Sequence, residues 1–136
     1  MVESRGGGSG LKPLLQKVDC VQLSVADLDA ALKFYRDTLG HELIWRNDHA
    51  IGLRLPGSDA ELVLQTERPY SEVDWLVDSV DAAAAHFVSA GGRVEVFPFD
   101  IKIGRCVIVR DPWGNRLVLL DMSKGSLKTD TTGRVT

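Results

Sequence analysis

Residues 20–41 read CVQLSVADLDAALKFYRDTLGH, and residues 72–93 read EVDWLVDSVDAAAAHFVSAGGR. Laid over each other at an offset of 52, they keep step. Val25 falls on Val77, Leu28 on Val80, Asp29 on Asp81, Ala30 and Ala31 on Ala82 and Ala83, Tyr35 on Phe87, and Gly40 on Gly92. Further on, ELVLQT from Glu61 falls on RLVLLD from Arg116 at an offset of 55, the three extra residues belonging to loops. A chain that repeats itself at this period is built from two copies of one supersecondary unit.

Each copy has the same local signals. Val18 to Val25 alternates apolar and polar residues, as a strand with one buried face must. Asp27 is an N-cap, followed by Leu28, Ala31, Leu32, Tyr35 and Leu39 at helical spacing and by Gly40 as a stop. In the second copy Ser79 caps, Val80, Ala83, Ala84, Phe87 and Val88 form the stripe, and Gly91-Gly92 ends it. Three short strands follow each helix, near 42–46, 50–55 and 61–65 and then near 94–97, 105–110 and 116–121, with turns at Pro56-Gly57 and Asp111-Pro112-Trp113-Gly114. Each unit is therefore βαβββ. A sheet with a helix on one face leaves the other face to be covered or used. Two such units predict an α+β fold with a curved, cup-like mixed sheet, helices outside and a cavity inside.

The rest of the chain sets boundaries. The 136 residues suit one domain over 18–122, with modules of about 18–66 and 71–122. Residues 1–17, with SRGGGSG at 4–10, read as a flexible leader, and 123–136 as a polar tail without periodicity. Sixteen basic against nineteen acidic residues leave a net charge of −3, which gives no electrostatic footprint for nucleic acid. No apolar run is long enough for a membrane span. Two cysteines, Cys20 and Cys106, in a chain that opens without a secretory signal are expected as free thiols in the cytoplasm.

VQLSVADLDAALKFYRDTLG in the first copy, with VDSVDAAAAHFVSAGG and VRDPWGNRLVLLD in the second, resembles the vicinal oxygen chelate proteins, the glyoxalase/bleomycin-resistance/dioxygenase group. The resemblance runs from about Val18 to about Asp121 and is specific for the fold, not for a reaction. It implies a small-molecule partner and a homodimer. It also implies that enzymes of the group hold a divalent metal with His or Glu side chains from the first and last strands of each copy. Carried onto this chain, those places are Cys20, Val63, Glu72 and Val118. Valine coordinates nothing, so no metal cofactor is expected; a Cys20–Glu72 site for zinc is the minor alternative.

Alternation aims Val21, Leu23, Val25, Val73, Trp75 and Val77 at the helices. The cup then receives Cys20, Gln22 and Ser24, Glu72, Asp74 and Leu76, Glu61, Val63 and Gln65, and Arg116, Val118 and Leu120. Expected ligand contacts are Cys20, Gln22, Val63, Gln65, Glu72, Asp74, Arg116 and Val118, joined by Trp113 if its turn closes as a lid, with Glu72 the candidate catalytic base. FPFDIKIG at 97–104 is either a closing loop or a hairpin connection. His41, His49 and His86 occupy none of the implied metal places, and no phosphate loop, CxxC pair or nucleophile elbow occurs. The first expectation is a metal-independent protein that binds a partly apolar small molecule. The alternatives are a metal-dependent lyase, isomerase or dioxygenase with an atypical ligand set, and an interaction module with a vestigial cup.

Overall fold

The computed structural model describes residues 12–136; the Gly-rich stretch expected to be flexible lies outside the described residues. The first module contains β1 (Lys17–Ser24), α1 (Leu28–Leu32), β2 (Leu43–Arg46), β3 (Ala50–Arg54) and β4 (Glu61–Gln65). The second contains β5 (Glu72–Leu76), α2 (Val80–Ser89), β6 (Arg93–Ile101), β7 (Gly104–Arg110) and β8 (Arg116–Leu120). The helix caps stand where the residue types place them: Asp27 Oδ1 accepts from Ala30 N at 2.9 Å, and Ser79 Oγ from Ala82 N at 3.3 Å. α1 passes into a π-helical segment, Lys33–Thr38, ending where Leu39 N–H donates to the Phe34 carbonyl at 3.0 Å.

All eight strands form one sheet in the order β2-β3-β4-β1-β5-β8-β7-β6. β1 runs parallel to β4, β5 parallel to β8, and the two halves meet where β1 and β5 pair antiparallel. The cup therefore forms within one chain. At that seam Cys20 stands opposite Asp74 and Gln22 opposite Glu72. This is the register a twofold relation between the modules produces, since an offset of 52 carries one pair onto the other.

Alternation divides the side chains between two faces. Val80, Ala83 and Ala84 of α2 pack with Val77, Val107, Val109 and Leu119, with Trp75 and the leader's Leu14 and Leu15 against them. Leu28 and Leu32 of α1 pack with Ile51, Leu53 and Leu64, with Leu23 beside them. Burying each of the large aliphatic side chains stabilises the fold by about 1.5–3 kcal/mol before entropy is counted. The opposite face carries two smaller clusters: Cys20, Ala50 and Val63 beside Trp45, and Cys106, Val118 and Leu120 beside Leu76, Ile101, Ile103 and Ile108.

Phe97 to Ile101 is not a loop, as one reading of FPFDIKIG had it. It continues β6, and the hairpin turns at Lys102-Ile103. Pro98 misleads because β6 is the sheet's outer strand, where the lack of an N–H is tolerated. Phe97 is 77% exposed there. Residues 123–136 hold a defined path. Arg46 N donates to the Gly133 carbonyl and Val135 N to the Arg46 carbonyl, both at 2.9 Å, so the tail runs along the outer strand β2. The Arg134–Asp48 ion pair fastens it.

Candidate functional site

The floor of the cup is the β1–β5 seam. Asp74 is only 5% exposed. Its Oδ2 accepts from Gln22 Nε2 at 2.8 Å and from Cys20 Sγ at 3.3 Å, and its Oδ1 is buried without a hydrogen-bond partner. Burial, and then the neighbouring Glu72, hold the Asp74 carboxyl well above the usual carboxylate range. Burial and the Asp74 charge push the Cys20 thiol up as well, and burial does the same to Cys106. Neither cysteine supplies a thiolate near neutral pH.

Glu72 is held at the other end of the seam. Its Oε1 lies 3.5 Å from Arg68 Nε and 3.5 Å from Arg116 Nη1, and its side chain is 9% exposed. Arg68 also donates to Gln22 Oε1. Arg116 Nε pairs with Glu95 at 3.0 Å and its guanidinium lies 5.7 Å from the Tyr70 ring centroid. Glu72, Arg116 and Tyr70, with Val73, Trp75, Arg110 and Val118, line a cleft of about 500 Å³ at the starts of β5 and β8.

On the other side of the seam lies a cavity of about 290 Å³. Two irregularities build it. The β1–β5 register shifts between Val18 and Cys20, so consecutive residues Asp19 and Cys20 both reach the cavity. The β2–β3 register shifts between Leu43 and Trp45, so Ile44 and Trp45 both do too. The Trp45 indole lies against Gly52, where a Cβ would fall 2.1 Å from its Nε1, and donates to Glu61 Oε1 at 2.7 Å. Val63 forms the back, and Met122 with Ser126, Leu127 and Thr129 of the tail forms the roof.

The four positions implied as metal ligands do not fit a divalent ion. Val63 and Val118 have no donor atoms, the buried Cys20 Sγ is hydrogen-bonded to Asp74, and Glu72 is shared by two arginines. Across the seam Cys20 pairs with Asp74 and Glu72 with Gln22, so the two residues of the minor zinc alternative are diagonal neighbours and not direct partners. Among the described residues, no group of three or more His, Cys, Asp or Glu side chains is arranged to hold an ion.

The expected contact residues separate. Cys20, Gln22, Asp74 and Glu72 meet at the seam, Cys20 and Val63 line the cavity, and Glu72, Arg116 and Val118 line the cleft. Gln65 is fully buried and used otherwise: its amide accepts from Arg68 N at 2.7 Å and donates to the carbonyls of Arg68 at 3.1 Å and Tyr70 at 3.2 Å. It pins the connection between the modules. Trp113 does not reach the cup. It is 85% exposed in a turn closed by Asp111, whose Oδ1 accepts from Trp113 N at 3.0 Å and Asn115 N at 2.8 Å. No pattern in the sequence points to Arg68, which sits in an aperiodic connection, or to Asp19, whose position depends on the bulge.

Comparison with known proteins agrees with this architecture. A family model described as the Glyoxalase/Bleomycin resistance protein/Dioxygenase superfamily matches residues 17–119. An uncharacterized protein of Mycolicibacterium smegmatis is 36% identical over 107 residues, covering 75% of this chain and 90% of that one. Methylmalonyl-CoA epimerase from Mycobacterium tuberculosis superposes with a TM-score of 0.67 at 24% identity, over 83% of this chain and 92% of its own. Homoprotocatechuate 2,3-dioxygenase from Brevibacterium fuscum, complexed with 3,4-dihydroxyphenylacetate, superposes with a TM-score of 0.60 at 26% identity, over 81% of this chain but 37% of its own. Among the described residues no helix is long and apolar enough to cross a membrane.

Proposed function

Because the chain belongs to the Glyoxalase/Bleomycin resistance protein/Dioxygenase superfamily, we propose that its cup binds a small, partly apolar organic molecule without a catalytic metal. The observation that carries this reading is the state of the four ligand positions: two valines, a buried thiol held to Asp74, and a glutamate held by Arg68 and Arg116. What remains beside them is a half-open, mostly apolar recess with a few polar groups, the kind of site that holds an organic ligand by burial and orients it by hydrogen bonds. Structural neighbours solved with methylmalonyl-CoA and with 3,4-dihydroxyphenylacetate support a small organic occupant for this fold.

Cys20, Gln22, Val63, Glu72, Asp74, Arg116 and Val118 are the proposed contacts. Apolar burial contributes about 25 cal/mol per Å² before ordering costs. Glu72 stays the candidate base should chemistry occur, since it lines the cleft. Arg68 and Arg116 each lie 3.5 Å from its Oε1, so a substrate that uses this carboxylate competes with them for it. The test is a fluorescence and thermal-shift screen of small organic molecules against the protein and Thr129→Trp, which fills the cavity from its exposed roof. Compounds that bind the protein and not the variant support the reading. A screen in which every binder is indifferent to the variant and to Glu72→Ala refutes it.

A further inference from the structure

The two recesses of the cup have opposite electrical character. In the cleft, Arg110 and Arg116 bind Glu95 at 2.5 and 3.0 Å, and Arg68 and Arg116 share Glu72. Its cations already have their counter-ions. In the cavity under the tail, the ionisable wall groups apart from the Cys20 thiol are Asp19, Asp59 and Glu61, and no Lys, Arg or His stands among the lining residues. The cations that act on these acids are elsewhere: Lys17 lies 4.0 Å from Asp59 with both side chains exposed, and Arg54 is bound to Glu42 at 3.0 Å. Burial, first of all, raises both Asp19 and Glu61 from their ordinary values.

The rest of that wall is apolar: Ile44, Trp45 and Val63 from the first module, Ile103, Met122 and Leu127 from the second and the tail. We propose that this cavity takes a lipophilic organic cation, a compact aromatic or aliphatic body bearing a protonated amine, with its charge toward Glu61, Asp19 and Asp59 and its body against Trp45. The proposal rests on the reading of the cup as a ligand site and names the class of ligand.

Three arguments lead there. A volume of about 290 Å³ holds one fused aromatic pair or a body of similar size. An anion would meet carboxylates with no cation among the lining groups, whereas an ammonium gains Coulomb energy in a recess screened less than open solvent. The Trp45 indole, fixed by its N–H bond to Glu61 and by the close approach of Gly52, presents a π-system where a cation is attracted. A metal cation is not favoured by the same acids, because no three donors among the described residues are arranged around one point.

The tail is part of this site. Ser126, Leu127 and Thr129 line the cavity, and further along the tail Gly133 and Val135 bond to Arg46 of β2. A ligand thus seated is covered by the chain itself.

The experiment uses the full chain and three probes of one shape: naphthylmethylamine, naphthylmethanol and naphthoic acid. Affinities are read by calorimetry and by fluorescence quenching, with Trp45→Phe showing which tryptophan responds. The amine is expected to bind at least about tenfold tighter than the alcohol, and the acid weakest. Asp59→Asn, on the exposed rim, and Glu61→Gln, which keeps an acceptor for Trp45, should each shrink the amine's advantage about threefold or more. Added salt should shrink it too. If the alcohol or acid binds as tightly as the amine, and Thr129→Trp still blocks it, the charge inference is overturned while the cup stands as a ligand site. If none of the three binds, the inference is overturned, and the broad screen with Thr129→Trp decides the function separately.

Discussion

Replacing Asp74 with asparagine should remove much of the protein's loss of stability as pH rises through neutrality. The folded protein holds a proton at Asp74 above its ordinary value of 3.8, because burial and the nearby Glu72 disfavour the charged form. The unfolded chain has released that proton by mildly acid pH. A raised folded value means the stabilising contribution is fully present below 3.8 and is lost as pH rises through the folded value. Inside that window the slope approaches about 1.4 kcal/mol per pH unit for one proton. From about pH 5 to about pH 7 the wild type should therefore lose up to about 3 kcal/mol that Asp74→Asn does not. Asparagine keeps an oxygen for Gln22 Nε2 and Cys20 Sγ, and its amide nitrogen takes the place of an Oδ1 that has no partner, so the seam keeps its shape. Urea unfolding followed by tryptophan emission gives the difference. With a urea slope of about 2 kcal/mol per M, the wild-type midpoint should fall by more than about 1 M relative to the variant's. After burial, Glu72 is what raises Asp74, so Glu72→Gln should flatten the slope in part. Parallel stability curves for wild type and Asp74→Asn would refute the claim that the floor of the cup carries a buried proton.

Two other positions give sharp expectations. Asp121 is buried and accepts from Val80 N at 2.9 Å, Arg105 N at 3.0 Å, and Ser123 N and Oγ at 3.2 and 2.8 Å, tying α2, β7 and the start of the tail together. Asp121→Ala should cost about 2–4 kcal/mol in chemical denaturation. Its carboxyl is depressed in the folded state despite burial, through those same donors, so its contribution is present above the ordinary value and lost as pH falls through the folded one; an acid titration of stability in wild type and variant checks the sign. Gly52→Ala should push the Trp45 indole away and break its bond to Glu61, destabilising the protein by about 1–3 kcal/mol and shifting tryptophan emission to the red. Unchanged emission in that variant would mean the indole does not rest on Gly52.

Much of the fold was legible because two periodicities recur in both copies. The stripe from Leu28 to Tyr35 and the alternation from Val18 to Val25 each repeat, and the caps Asp27 and Ser79 sit where unsatisfied amides need them. The pairing of places across the cup was less legible. An offset of 52 relates Cys20 to Glu72 as equivalents, yet an antiparallel seam sets each residue against the other's neighbour, so Cys20 meets Asp74. Bulges were invisible to a period of two, and they bring Asp19 and Ile44 to the cavity. Gln65 was placed on the cup face, but its amide is spent on the backbone of Arg68 and Tyr70, a use no local pattern encodes. The path of residues 123–136 depends on pairing with β2, which lies some 90 positions earlier in the chain and leaves no periodic trace (roughly, by the register of Arg46 with Arg134).

The most direct test of the central claim, that the cup acts without a catalytic metal, is elemental analysis of the full chain purified from cultures supplemented with zinc, nickel, manganese and iron, beside a Cys20→Ala, Glu72→Ala double variant. The account predicts far less than one metal per chain in both, with no dependence on the two side chains. Near-stoichiometric metal in the wild type that disappears in the variant would contradict it.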